Sequence, residues 1–210
     1  MATKEDIIKI YGSNPDNWDL FHISYSQKLS EEFIREFQDK VNWHYISFYQ
    51  ELSEDFIKEF QNKVNWPNIS ESQKLSEDFI REFKNKVCWN YISQNQGLSG
   101  GFIREFQDKV NWDNISYHQK LSEDFIREFK DKVGWHNISH KQKLSEEFIR
   151  EFRDKIVFQR LLRNKYCPLN IKAEYIRKNV TKEDPDKHSI EEVIEKKDNS
   201  LEELKKLVGV

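Results

Sequence analysis

The segment Leu121-Ser-Glu-Asp-Phe-Ile-Arg-Glu-Phe-Lys-Asp-Lys-Val133 occurs six times along the chain with small changes. Each copy follows a tryptophan and an Ile-Ser pair, so the whole unit is about 23 residues long. The copies begin at Leu29, Leu52, Leu75, Leu98, Leu121 and Leu144. An internal repeat of this period is the sequence signature of a solenoid or a related repeat array. The repeat therefore determines the predicted architecture.

The tryptophans mark the same period, with Phe158 in the place of a seventh. The spacing is 23 residues throughout, except that two extra residues precede Ile23 in the first unit. The repeats, numbered 1 to 6, are residues 18–42, 43–65, 66–88, 89–111, 112–134 and 135–157.

Composition agrees with a helical array. The chain has 210 residues and a net charge of -3, and 34% of its residues are charged. Such polarity would indicate disorder if the apolar residues were scattered, but the 15 Phe and 6 Trp are periodic. Six Gly and four Pro are too few for a loop-rich or all-β protein. We therefore predict a narrow, elongated core.

Each repeat predicts two helices. Ser122 is a suitable N-cap, and Phe125, Ile126, Phe129 and Val133 line one face of a helix of about eleven residues. The preceding segment, residues 111–120, predicts a shorter helix. Two such helices form a hairpin, and hairpins bury their apolar faces by stacking. The predicted fold is an all-α solenoid of six short helix-turn-helix repeats with degenerate terminal caps.

The sequence divides into four predicted regions. Residues 1–17 form an N-terminal capping helix, and residues 18–157 form the solenoid. Residues 158–180 form a degenerate seventh repeat that caps the C-terminal end. Residues 181–210 contain a polar linker and two short amphipathic helices, which either pack on the last repeat or dock to a partner.

Comparison of the copies separates constant from variable positions. The two residues after each Trp and the two after each Ile-Ser vary, and they are predicted to form one exposed surface of the first helices. Exposed aromatic and His side chains are typical of interaction surfaces; the alternative is neutral drift. The predicted partner surface comprises His44, Tyr45, Phe48, Tyr49, Tyr91, Tyr117, His118, His136 and His140.

Two polar positions are constant, the Ser after Ile and a Gln four residues after that Ile. A ladder of such groups could contact an extended ligand. We favour the alternative that they bond backbone groups at the turns between helices.

No pattern in the chain indicates catalysis. A glycine-rich phosphate loop, a Ser/His/Asp arrangement and a Cys/His constellation are all missing from the sequence. His136 and His140 have a spacing that can chelate a metal, but no third ligand is defined. We therefore predict a non-enzymatic protein without cofactor or metal.

Nucleic-acid binding is the first alternative, because some helical repeat arrays bind RNA. The recurring arginines are flanked by acids, which weakens this prediction. Self-assembly through imperfect caps is the second alternative.

Two unrelated cysteines and no apolar leader or spanning segment predict an intracellular, non-secreted protein without membrane insertion.

The string WxxISxxQKLSEDFIREFKDKV resembles tandem repeats in proteins of unassigned function from large DNA viruses of amoebae, of the Marseillevirus and mimivirus kind. The resemblance covers residues 17–157 and leaves both flanks uncovered. It implies a viral protein acting in the host cytoplasm or nucleus, or packaged in a virion, and it transfers no site residues. Together these observations predict a monomeric or homodimeric scaffold that binds a host or viral protein.

Overall fold

The structure, a computed structural model, describes residues 2–179, and the predicted linker and helices within 181–210 lie outside them. The described residues contain fifteen α-helices, one short 3₁₀ turn and no β-strand. The predicted all-α fold of stacked helix-turn-helix repeats is confirmed. The helices are α1 Lys4–Tyr11, α2 Leu20–Ser26, α3 Glu31–Glu36, α4 Trp43–Tyr49, α5 Glu54–Glu59, α6 Trp66–Ser72, α7 Glu77–Glu82, α8 Trp89–Asn95, α9 Gly100–Glu105, α10 Trp112–His118, α11 Glu123–Glu128, α12 Trp135–Lys141, α13 Glu146–Glu151, α14 Phe158–Leu162 and α15 Leu169–Asn179.

The chain forms two compact units, Met1–Asn111 and Trp112–Val210. In the first unit the first helices of successive repeats pack side by side, as α2 on α4, α4 on α6 and α6 on α8. In the second unit α10 packs on α12 and α12 on α14. Each unit is thus built by contacts between neighbouring repeats, as expected for a solenoid.

The second helix of each repeat begins as predicted but ends early. Ser122 accepts a hydrogen bond from the backbone N–H of Phe125 at 3.2 Å. The prediction of about eleven helical residues is wrong, because α11 ends at Glu128. Phe129 adopts φ −109°, ψ 29°, and its carbonyl accepts from both Lys132 and Val133. This turn buries Phe129 and Val133 without continuing the helix.

Within a repeat, the tryptophan packs on the two phenylalanines of the second helix and its turn. The Trp43 ring centroid lies 6.2 Å from that of Phe56 and 5.0 Å from that of Phe60. Its indole N–H donates to the carbonyl of Gln38 at 2.8 Å. Because the polar atom is bonded, the ring can fill the core without an unsatisfied donor.

Neighbouring repeats are joined by buried polar side chains. Gln73 donates to the carbonyls of Ser47 and Gln50, 3.0 and 2.7 Å away, and accepts from the N–H of Leu52 at 3.1 Å. Ser70 donates to the Trp66 carbonyl and accepts from the N–H of Cys88 at the end of the same repeat. The predicted backbone-bonding role of the constant Ser and Gln is confirmed, although the partners of Gln73 lie in the preceding repeat.

Other residues bond the first and last repeats at the described ends of the chain. Ala2 donates to the carbonyl of Lys28 and accepts from the N–H of Ser30 at 3.1 Å. After repeat 6, Asn164 replaces the glutamine and donates to the carbonyls of Ser139 and Gln142 at 3.0 and 2.8 Å. The segment after repeat 6 therefore continues the glutamine pattern, whereas Ala2 joins repeat 1 through backbone bonds.

Candidate interaction surface

The first two repeats carry a cluster of exposed aromatic rings on α2 and α4. Ile46 and Ser47 are buried within α4, and the residues around them on the helix face outward. Helical periodicity places side chains three and four apart on one face, so the outer rings of the two packed helices meet. We call this cluster the aromatic patch, comprising Phe21, His22, Tyr25, His44, Tyr45, Phe48 and Tyr49.

Ring contacts run through the aromatic patch without interruption. Tyr45 is central, with its centroid 5.0 Å from Phe21, 5.2 Å from Tyr25 and 5.9 Å from Tyr49. Phe48 contacts Tyr49 at 4.9 Å. Most of these pairs are edge-on or tilted, which are favoured geometries for aromatic rings. The rings therefore hold one another in place before any partner binds.

The aromatic patch is both exposed and uncharged. Phe21 and Tyr49 are each 53% exposed, and Tyr25 and Phe48 are 42% and 36% exposed. Neither α2 nor α4 contains an Asp, Glu, Lys or Arg. Isolated exposed apolar side chains are ordinary, but a contiguous group of them marks a contact surface more often.

Most of the equivalent positions in repeats 3 and 4 are polar, and two asparagines there bond the backbone of the preceding repeat. Asn68 is 8% exposed, and its amide donates to the carbonyl of His44 at 2.9 Å. Asn95 donates to the Glu71 carbonyl at 3.0 Å. Tyr91 lies beside Glu71, whose negative charge raises the pKa of the tyrosine. Tyr91 is half-buried, and no ring contact joins it to the aromatic patch among the described residues.

The second unit holds a smaller group of rings on α10 and α12. The centroid of Tyr117 lies 4.7 Å from that of His118 and 6.3 Å from that of His140. The ammonium of Lys141 lies 4.3 Å from the Tyr117 centroid. His136 is exposed and lies one turn before His140 on α12.

His140 is the most unusual of the predicted surface residues. Its Nδ1 is buried and has no hydrogen-bond partner among the described residues. Burial lowers the pKa of the imidazole, and the nearby charges of Lys141 and Arg160 lower it further. The ring is therefore neutral near pH 7, in a positive environment.

The predicted site residues thus fall into three places. His44, Tyr45, Phe48 and Tyr49 come together in the aromatic patch, the unit-2 residues form a second group, and Tyr91 lies apart. The sequence prediction missed Phe21 and Tyr25. Two extra residues separate Trp18 from Ile23, so Phe21 stands opposite His44 only in an alignment on Ile-Ser. Tyr25 directly follows Ile23-Ser24 at a variable position, opposite Phe48, and was left out of the predicted surface.

The recurring cations on the second helices are neutralised by neighbouring repeats. Arg35 Nε lies 2.9 Å from a carboxylate oxygen of Glu59, and Arg81 Nε lies 2.7 Å from Glu105. The carboxylate raises the pKa of each guanidinium by accepting its hydrogen bond. Since the arginines are paired, this row offers little free charge to a phosphate backbone.

Over residues 2–179, no three His, Cys, Asp or Glu side chains are grouped so that they could hold a metal ion. Within the same part of the chain, every helix is too short or too polar to cross a membrane. Comparison with protein-family models, curated proteins and solved structures finds no match to this chain.

Proposed function

We propose that the protein is a non-enzymatic scaffold that binds a protein partner through the aromatic patch. The observation that carries the proposal is the uninterrupted, uncharged group of exposed rings on α2 and α4. Tyrosine and phenylalanine contribute large contact areas at low entropic cost and are enriched in interface hot spots. The resemblance to viral repeats makes a host or viral protein the partner.

The size of the patch sets the strength of the interaction. Four rings between 36% and 53% exposed, at roughly 200 Å² each, leave about 350 Å² of aromatic surface. Burial of that area is worth on the order of 9 kcal/mol, from which association costs are subtracted. The patch alone therefore supports a weak, reversible complex, and a tight one needs further contacts.

The repeats themselves provide matched substitutions. Phe48→Gln and Tyr49→Asn copy the residues that repeat 4 holds at the same positions, Gln94 and Asn95. Because that repeat folds with them, the double variant should keep the helical circular dichroism of the native chain. The control is Tyr91→Asn, which copies Asn68 outside the aromatic patch.

The test is affinity capture from a lysate of an amoeba, the host class that the resemblance implies, with identification by mass spectrometry. We expect one protein to be retained by the native chain and by Tyr91→Asn. The retained amount of that protein should fall at least ten-fold with the double variant. Direct titration with that purified protein should then reproduce the difference. Equal retention by all three chains would refute the aromatic patch as the binding site.

A further inference from the structure

The second unit carries a concentration of cations that the overall charge of -3 conceals. Residues 114–122, 132–145 and 155–173 contain no Asp or Glu. These segments supply α12, α14 and the turns that follow the first helices. Five of their cations and two exposed tyrosines make up what we call the positive face, comprising Lys120, Lys141, Lys143, Arg160, Lys165, Tyr117 and Tyr166.

Among residues 2–179 none of these five cations lies within ion-pair distance of a carboxylate, in contrast to many cations on the second helices. Elsewhere, Lys58 lies 2.6 Å from Glu82 and Arg127 lies 2.8 Å from Glu151. Four of the five cations of the positive face are exposed, and Arg160 is half-buried. Their charges are therefore available to an external anion.

The cations of the positive face lie close enough to act on two titratable groups at the same face. The pKa of the Tyr166 hydroxyl is lowered by its hydrogen bond to Lys165, and the charges of Lys120 and Lys143 act in the same direction. After burial, the neighbouring cations are the next cause of the lowered pKa of His140. Lys120, Lys143 and Lys165 follow the first helices of three successive repeats, and their charges act on the same face.

Aromatic rings are interleaved with the charges. The Lys141 ammonium lies 4.3 Å from the Tyr117 ring centroid, and that of Lys165 lies 4.7 Å from the Tyr166 centroid. The two rings are 38% and 45% exposed. Each location therefore offers an ammonium group beside a ring with an open surface.

We propose that the positive face binds single-stranded nucleic acid. A cationic surface with exposed rings suits a strand that presents phosphates and unstacked bases together. In a duplex the bases are already stacked, so the rings would contribute little. An acidic protein segment would form ion pairs with the cations but would not stack on the rings of Tyr117 and Tyr166.

The first unit provides the matched control. The positions equivalent to Lys120 and Lys143 are Lys28, Glu51, Lys74 and Gly97, and there Lys28 is paired with Glu51 at 3.0 Å. Lys74→Glu therefore changes charge by the same amount as Lys143→Glu, at the same position of the repeat and outside the positive face.

The experiment measures fluorescence anisotropy of a labelled 20-nucleotide oligouridylate with the full chain between 25 and 200 mM NaCl. We expect binding at low salt, with log K falling against log [NaCl] with a slope of about −2 to −3.5 for three to five phosphate contacts. Lys143→Glu should lower the affinity at 50 mM NaCl at least ten-fold and make the slope shallower. Lys74→Glu should change the affinity less than two-fold.

Tyr166→Leu separates nucleic acid from a general polyanion. Loss of one stacked base should weaken binding about five-fold to a hundred-fold and leave the salt slope unchanged. Circular dichroism checks the fold, and Tyr117→Leu serves as a second variant if the first is unfolded. Poly-L-glutamate is the competing probe.

Three results would overturn the proposal. One is no binding of the oligonucleotide at 25 mM NaCl. Another is an equal loss of affinity with Lys74→Glu and Lys143→Glu. The third is that poly-L-glutamate binds as tightly and neither tyrosine variant weakens binding, which would assign the face to an acidic protein segment.

Discussion

Gln73 shows why a polar residue can be constant in every repeat without contacting a ligand. It is 7% exposed, and its amide satisfies two carbonyls and one N–H of the preceding repeat. Three bonds at one side chain join the backbones of two repeats at the turn. Constancy at this position reflects the assembly of the core, whereas the variable positions around it are free to carry function.

We expect Gln73→Leu to lower the free energy of unfolding by about 2–4 kcal/mol, because buried backbone groups of repeat 2 would lose their partners. Urea denaturation followed by circular dichroism measures the change. Gln94→Leu is the control, since Gln94 is exposed on α8 and its replacement should change stability by less than about 0.5 kcal/mol. Equal effects of the two variants would contradict the proposed role of the ladder.

The two cysteines should react at different rates. Cys167 is 7% exposed, and burial raises the pKa of its thiol from 9.0 to about 11. A rise of two units reduces the thiolate fraction near pH 8 about 100-fold, and the thiolate is the reactive form. Cys88, which is half-buried at the start of α8, should be alkylated first.

Iodoacetamide labelling at pH 8 with mass spectrometry tests the order, and the urea-unfolded chain provides the reference in which both thiols react. The raised pKa also has a consequence for stability. Below pH 9 the Cys167 thiol is neutral in the folded and the unfolded chain, so it makes stability no different with pH. Between pH 9 and about 11 the thiol of the unfolded chain ionises first, so the free energy of unfolding falls as pH rises. Modification of native Cys167 at the unfolded rate would contradict its burial.

At the scale of the element, the sequence predicted what each repeat contains better than where its helices end. Caps, apolar spacing and the Trp–Phe core follow from local rules and were recognised. The early end of α11 was missed because Phe129 and Val133 continue helical spacing while lying in a turn. Periodicity records which side chains are buried and does not distinguish a helix from a turn that buries the same residues.

The candidate site was predictable to a similar degree. Four residues of the aromatic patch stand at positions that vary between copies, so comparison of repeats found them. Phe21 was missed because Trp18 lies outside α2, although the Trp18 ring packs on Phe33 and Phe37 as the other tryptophans pack on their phenylalanines. The pairing of α2 with α4 is a tertiary fact that alignment on tryptophan obscured.

The helix α9 is the weakest of the second helices in its local sequence. It begins with Gly100 and Gly101, where the other repeats have acidic residues. Glycine is unfavourable in a helix, and an acid in the first turn is stabilised by the helix dipole. We therefore expect α9 to fray at its start, although Ser99 caps it by accepting from the N–H of Phe102 at 3.1 Å.

We expect Gly101→Asp to raise the free energy of unfolding by about 1 kcal/mol. A Cβ at this position would lie 3.8 Å from Ser99 Oγ, which is an ordinary contact. Gly97→Asp is the control, because it adds the same charge in open space outside the helix. Hydrogen exchange of the α9 amides should slow in the first variant and not in the second.

At the scale of the whole molecule, repetition makes the bonds between repeats interchangeable. Gln96 of repeat 4 donates to the carbonyls of Ser70 and Gln73 in repeat 3. Gln73 donates to the equivalent carbonyls in repeat 2. Surface pairs such as Lys63 with Asp39 repeat at the same interval. Stability should therefore depend on the number of repeats in register more than on which repeats are present.

Deletion of residues 66–88 tests this dependence, because it removes one whole period of 23 residues. Asn65 would then cap the helix that begins at Trp89, and Gln96 would meet the carbonyls of Ser47 and Gln50. We expect a folded chain with native helicity per residue and a cooperative, somewhat less stable transition in urea. Deletion of residues 66–82 removes α6 and α7 but leaves the repeats out of register, so its transition should be broad and its tryptophans exposed to quenching by iodide. If both shortened chains unfolded alike, stability would depend on the particular side chains of repeat 3 and the repeats would not be interchangeable.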